Sequence, residues 1–170
     1  MTTRRVTGLV LAGGRSSRFG RDKLAERVDG RTLLANAIDG VTPASTEILV
    51  VAAPDATPPL PARATLIHDP VAFEGPLAGV AAGLRAAHES IVLVVGGDMP
   101  TLVGAVIESM LVELEAPAVD ACVLDHEGRA RPLPMALRRE PALEAADLLL
   151  AGGERRLRAL IDALGATVIP

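Results

Sequence analysis

The chain has 170 residues, 49% of them hydrophobic and 22% charged, a balance that suits one domain with a full apolar core and excludes a disordered chain. Phe19 and Phe73 are its only aromatic residues and its net charge is -4, so neither a base-stacking face nor an electrostatic hold on a nucleic-acid backbone is expected. Cys122 stands alone, which excludes an internal disulfide and a cysteine zinc site.

In chain order, the first apolar run covers residues 6–12, behind Arg4-Arg5. That pairing loosely resembles an export signal. The run is short, is broken by Gly8 and feeds a basic glycine-rich loop, so it reads as a first strand of a cytoplasmic protein. Thr32 is suited to cap a helix reaching Val41. Residues 47–53 and 64–67 read as buried strands, separated by a proline-rich surface loop over 53–62. Pro76 fits the first turn of a helix running toward His88, and 91–95 is the most apolar strand of the chain. Apolar residues recur at helical spacing over 101–115, and 119–124 reads as a strand that buries Cys122. Residues 132–138 form a possible further strand, which Pro132 and Pro134 place at an edge or a bend. Two helices, over 141–150 and 154–164, are divided by Gly152-Gly153. No run approaches the roughly 18 apolar residues of a membrane span.

Strands alternating with helices predict an α/β fold, a Rossmann-like three-layer sandwich with a mostly parallel central sheet, as a single domain over 1–170. In such sheets ligands bind beyond the carboxyl ends of the strands. The chemistry is therefore expected in residues 13–23, 68–75 and 96–101.

The first of these segments runs from Gly13-Gly14 through Arg15, Arg18 and Arg21 to Lys23. Glycines directly after a strand let backbone N–H groups approach an anion, and the cations add charge. The spacing is neither that of a Walker A loop nor that of the dinucleotide fingerprint. A glycine turn with solvated arginines is the plainer alternative. Lys23 and Arg18 are the candidates for neutralising charge on reacting phosphates. Asp98, past the end of the 91–95 strand, suits a hard cation that bridges phosphates, with a helix cap for the next helix, or a turn residue before Pro100, as its alternatives. Asp69 precedes Pro70 and otherwise reads as a turn residue. His68, His88 and His126 share no metal-ligand spacing and are expected to be solvated or hydrogen-bonded. Arg155, Arg156 and Arg158 suit either an anionic acceptor or a solvated helix face.

Residues 11–23, Leu-Ala-Gly-Gly followed by Ser16-Ser17-Arg18-Phe19-Gly20-Arg21-Asp22-Lys23, resemble the signature loop of the molybdenum cofactor guanylyltransferases and their nucleotidyltransferase relatives. Asp69 followed by Gly75-Pro76-Leu77-Ala78-Gly79, and Gly97-Asp98-Met99-Pro100, match the same family in order and spacing, with a weaker echo at residues 153–160. The resemblance covers residues 6 to about 164. It implies the nucleotide-diphospho-sugar transferase type of fold, and transfer of GMP from GTP to the terminal phosphate of molybdopterin with release of pyrophosphate. By position it implies that Leu11, Ala12, Gly13, Gly14 and Lys23 contact the nucleotide, that Asp69 lies by the nucleoside, and that Asp98 holds Mg2+. It also implies contact with molybdoenzymes or other cofactor-biosynthesis proteins, and neither nucleic acid nor membrane as a partner.

The chain departs from the family pattern in places. Arg131 stands before Pro132-Leu133 where many relatives have Gln, Ala52-Ala53 follow the second strand where a polar residue is common, and 166–170 lacks a family segment of Asn-x-Asn/Asp-Thr-Pro type. The nucleotide half of the site is expected to be complete and the acceptor to be held less tightly, over the later half of the chain, by Arg131 and Arg155. Two rivals are a CTP-using or sugar- or alcohol-phosphate nucleotidyltransferase of this fold, and a nucleotide-binding accessory protein without acceptor chemistry.

Overall fold

Strands that are apolar on both faces need cover on both sides, and the order of elements provides it. The computed structural model describes residues 4–13, 23–70, 75–99 and 101–170. Along the chain run β1 (Val6–Leu11), a small hairpin of β2 (Arg27–Val28) and β3 (Arg31–Thr32), α1 (Leu33–Val41), β4 (Glu47–Ala52), β5 (Ala64–His68), α2 (Pro76–Ala86) and β6 (Ile91–Gly96). Then follow α3 (Gly104–Glu113), β7 (Ala121–His126), β8 (Arg129–Arg138), α4 (Arg139–Ala151), α5 (Leu157–Ala163) and β9 (Thr167–Ile169). The main sheet has the order β5-β4-β1-β6-β8-β7-β9. β5, β4, β1 and β6 are mutually parallel, β8 runs antiparallel to both β6 and β7, and β9 is parallel to β7.

The period of two along each strand splits the core into two layers. Leu9, Val92 and Val94 face α2, α4 and α5, packing with Leu77, Leu84 and Leu160. Val10, Leu93 and Val95 face the other way, toward Ile38 of α1 and Met110 and Leu111 of α3. Each such aliphatic side chain, once fully buried, contributes about 1.5–3 kcal/mol. The helix α2 comes especially near β1, because a β-carbon on Gly83 would stand 2.4 Å from both methyl carbons of Leu9.

Local signals account for the helix starts. Thr32 caps α1, its hydroxyl accepting the Ala35 N–H at 3.1 Å, and Pro76 opens α2. α3 starts at Gly104 rather than at Thr101. Leu102 is packed onto α1, 2.9 Å from where a β-carbon on Gly40 would be, and this holds the segment before α3 out of the helix.

The prolines mark a bend, as their chemistry requires, but β8 is no edge strand. It sits inside the sheet between β6 and β7. Its register against β7 skips between Val123↔Met135 and Leu124↔Arg131, so Pro132, Leu133 and Pro134 occupy the irregularity. Prolines lack a ladder N–H, and the skip removes the need for one. From Met135 to Arg138 the strand pairs regularly with β6. No helix among the described residues is long and apolar enough to cross a membrane.

Candidate active site

Because β1, β4, β5 and β6 are parallel, Leu11, Ala52, His68 and Gly96 all finish at one edge of the sheet. β8 runs the opposite way and begins at that same edge, which brings Arg129 to Arg131 there. The backbone ladder continues one step past the strands. Ala12 N–H donates to Val51 O (2.7 Å), Gly97 N–H to Leu11 O (2.9 Å) and Asp69 N–H to Ala52 O (2.9 Å). Three of the sequence-predicted segments thus meet on one rim.

Asp98 is exposed on that rim. The turn beneath it is closed by Met99 N–H donating to Gly96 O at 3.1 Å and by the Met99 sulfur lying 3.3 Å from Gly96 N. The carboxylate folds back over Gly96, where a β-carbon would stand 2.8 Å from Oδ1. Asp98 is not the cap of α3, whose N-cap is Val103 and has no side-chain hydrogen bond. Asp69 is half-buried, with Oδ2 4.0 Å from the place of a β-carbon on Gly79, at the seam between β5 and α2.

Lys23 begins a short 3-10 turn, Lys23–Ala25. Leu24 of that turn packs over Gly97, 3.2 Å from where its β-carbon would be, which brings the backbone of Lys23 to the rim beside Asp98. The Lys23 side chain, Gly14 and Arg18 lie outside the described residues. Gly13 is at the rim, its would-be β-carbon 3.7 Å from Ala53 N.

The arginines divide. Arg131 is exposed at the start of β8. Arg155 is half-buried, its Nη1 donating to Glu154 O (2.9 Å) and Leu150 O (3.3 Å), while its own carbonyl accepts the Leu77 N–H (3.3 Å) in the first turn of α2. Since α2 begins at the rim, Arg155 is there too. Arg158 Nη1 donates to Ala130 O (2.8 Å), tying the start of α5 to the start of β8. Glu154, which composition and spacing did not single out, binds the N–H groups of Arg155 and Arg156. Its sequence signals are the weaker family echo over 153–160 and its place between a glycine pair and a run of arginines.

Elsewhere the titratable groups serve the frame. At the opposite edge of the sheet Glu47 accepts from Thr7, from His88 N–H (3.0 Å) and from His88 Nδ1 (2.6 Å). His68 Nε2 lies 3.0 Å from Ala56 O, holding the proline-rich loop. Cys122 is buried in β7, and burial, with Glu113 as a lesser cause, pushes its thiol up to about 11, so it stays a protonated core residue. No group of three or more His, Cys, Asp or Glu among the described residues is arranged to hold a metal by itself.

Comparison with known proteins agrees with this geometry. A family model described as a MobA-like NTP transferase domain matches residues 8–168. A probable molybdenum cofactor guanylyltransferase of Mycobacterium avium is 40% identical, over 96% of this chain and 84% of the relative. The molybdenum cofactor guanylyltransferase of Burkholderia ambifaria is 35% identical, over 91% of this chain and 80% of that protein. Among solved structures, the molybdopterin-guanine dinucleotide biosynthesis protein A of Archaeoglobus fulgidus superposes with a TM-score of 0.77 at 22% identity, over 96% of this chain and 83% of that one. The 2-C-methyl-D-erythritol 4-phosphate cytidylyltransferase of Thermus thermophilus gives 0.72, also at 22% identity, over 95% and 86%. Both share the fold.

Proposed function

Because the chain belongs to the family of MobA-like NTP transferase domains, we propose that it is a nucleotidyltransferase that transfers GMP from GTP to molybdopterin and releases pyrophosphate. The observation that carries this reading is the shared rim: the ends of β1, β5 and β6 bring Leu11 to Gly13, Asp69, the Lys23 backbone and Asp98 to one edge, where the start of β8 with Arg131 and the start of α2 with Arg155 also lie.

The reaction asks for alignment and charge neutralisation more than for covalent help. An oxygen of the acceptor's terminal phosphate attacks the α-phosphorus of GTP, a new P–O bond forms, and the bond to the β-phosphate oxygen breaks. Pyrophosphate leaves with that electron pair. In this reading Leu11, Ala12, Gly13 and Gly14 bind the nucleotide through the main chain and Asp69 holds the nucleoside. Lys23 and Arg18 lie against the phosphates and offset charge on the leaving group. Arg131 and Arg155 line the acceptor side.

A divalent cation fits the donor set. Asp98 offers an exposed carboxylate on the turn that follows β6, and Mg2+ usually takes one or two protein carboxylates with phosphates and water as its other ligands. Asp98 would hold Mg2+, which when bound neutralises phosphate charge and makes the α-phosphorus more electrophilic.

Pyrophosphate release measured with GTP, ATP and CTP, with and without molybdopterin, tests the proposal. Release with GTP that needs molybdopterin is the expected result. Equal or tighter binding of CTP in calorimetry would move the chain to the cytidylyl branch. Nucleotide binding with no acceptor-dependent release would make it an accessory binder.

A further inference from the structure

The turn between α4 and α5 is organised around Glu154. Its Oε1 accepts from the N–H of Arg155 (2.8 Å), the N–H of Arg156 (3.0 Å) and Arg156 Nε (3.0 Å), and its Oε2 accepts from Arg156 Nη2 (2.8 Å). The Arg156 side chain first, and then the N–H groups of Arg156 and Arg155, hold this carboxyl well below the usual carboxylate range, so it is anionic at any working pH.

Two contacts fix where the turn sits. Arg155 O accepts the Leu77 N–H at 3.3 Å, and a β-carbon on Gly75 would stand 3.0 Å from that same oxygen. A helical turn further on, Arg158 Nη1 reaches Ala130 O at 2.8 Å. The segment therefore touches the first turn of α2 at one end and the start of β8 at the other, and both are on the rim. Glu154 grips Arg156 side-on, through Nε and Nη2, leaving Nη1 with no partner among the described residues on a side chain that is 79% exposed. A guanidinium fixed on one edge still has donors for an anion on the next.

We propose that Glu154 is a positioning residue that fixes the Arg155-Arg156 turn against α2 and holds Arg156 ready to take an anionic acceptor. The proposal rests on the nucleotidyl-transfer reading above. Glu154, itself anionic, acts through Arg156 and through the main chain, not by touching the acceptor.

The test uses the full chain as wild type, Glu154→Ala, Glu154→Gln, Arg156→Ala and the Glu154→Ala/Arg156→Ala pair. Glu154→Ala is expected to raise the KM for molybdopterin by about tenfold while the GTP Kd stays within about twofold. Glu154→Gln should fall between, since its amide oxygen still accepts the two N–H groups and Arg156 Nε, while its amide nitrogen cannot accept from Nη2 and its charge is gone. The double variant should fall well short of the combined effect of the two single changes, because both act in part through one unit. Without any substrate, amide exchange at Leu77, Arg155 and Arg156 should be faster in Glu154→Ala. An unchanged acceptor KM, additive effects in the double variant, or a GTP Kd weakened as much as the acceptor KM would each overturn the proposal. If wild type itself makes no pyrophosphate, the transfer reading fails separately. Amide exchange then decides, and unchanged rates at those three residues remove Glu154 from the role.

Discussion

Gly96 and Asp98 are matched: the carboxylate occupies the room that a side chain at position 96 would take, with Oδ1 2.8 Å from the place of the β-carbon. Gly96→Ala must therefore move the carboxylate or the turn. A reacting group displaced by about an ångström loses on the order of a hundredfold in rate, so we expect a large fall in kcat/KM and a weaker Mg2+ dependence. The unfolding midpoint should change little, since Asp98 is exposed. An active variant with wild-type Mg2+ titration would separate Gly96 from the site.

Asp98→Asn keeps the shape of the side chain and removes its charge. Because an amide oxygen is a much poorer ligand for Mg2+ than a carboxylate, transfer should be lost while metal-free nucleotide affinity persists. Restoration of full activity at the wild-type Mg2+ concentration would take the metal away from Asp98.

Lys23→Ala should weaken GTP binding by roughly ten- to a hundredfold, the effect of losing one charge-assisted hydrogen bond to phosphate. Calorimetry on the folded variant measures it directly. Unchanged affinity and turnover would assign the phosphate charge to other groups.

Gly75 has φ 91° and ψ 173°, a region that only glycine occupies readily, and Arg155 O and Cβ stand 3.0 and 3.1 Å from its would-be β-carbon. Gly75→Ala should cost about 1–3 kcal/mol in backbone strain and push the 154–156 turn off α2. Urea unfolding reads the first effect and acceptor KM the second. A variant with unaltered stability would show that the helix start relaxes at no cost.

Glu47 gives the stability a pH dependence. Burial alone would raise its pKa, yet the hydrogen bonds from His88 and Thr7 more than offset that and lower it from 4.5. A depressed folded pKa means a contribution that is present above the unfolded value and lost as pH falls through the folded one. Between about pH 6 and pH 3 wild type should lose more urea resistance than Glu47→Gln, and parallel curves for the two would remove Glu47 from the acid response.

Residues 6–12, 47–53 and 91–95 were legible as strands because β-branched runs buried on both faces leave no other good conformation, and Thr32 declared its helix by a cap. Residues 64–67 were legible as a strand but not as a buried one: β5 is the edge of the sheet and none of its residues is buried. The gathering of Gly13, Asp69 and Asp98 on one rim followed from parallel pairing alone. The interior position of β8 did not, because the signal of Pro132 and Pro134 is local, while the register skip that admits them depends on β7. β9 is too short to stand out from a chain terminus. The bonds that Glu154 and Arg158 make to the main chain were illegible for another reason: main-chain groups carry no residue type.

The strand order also has a consequence for synthesis. β1, β4, β5 and β6 are made first and are neighbours in the sheet, so the emerging chain can assemble them with no gap left for a later strand. The cost falls on β6, whose free side presents an almost wholly aliphatic ladder until β8, two strands later in the chain, arrives to cover it. An uncovered strand of that kind is where nascent chains stick to one another. Chains that end just before residue 129, tethered to the ribosome by a linker long enough to clear the exit tunnel, should therefore engage holding chaperones more strongly than chains that run to residue 138 on the same linker.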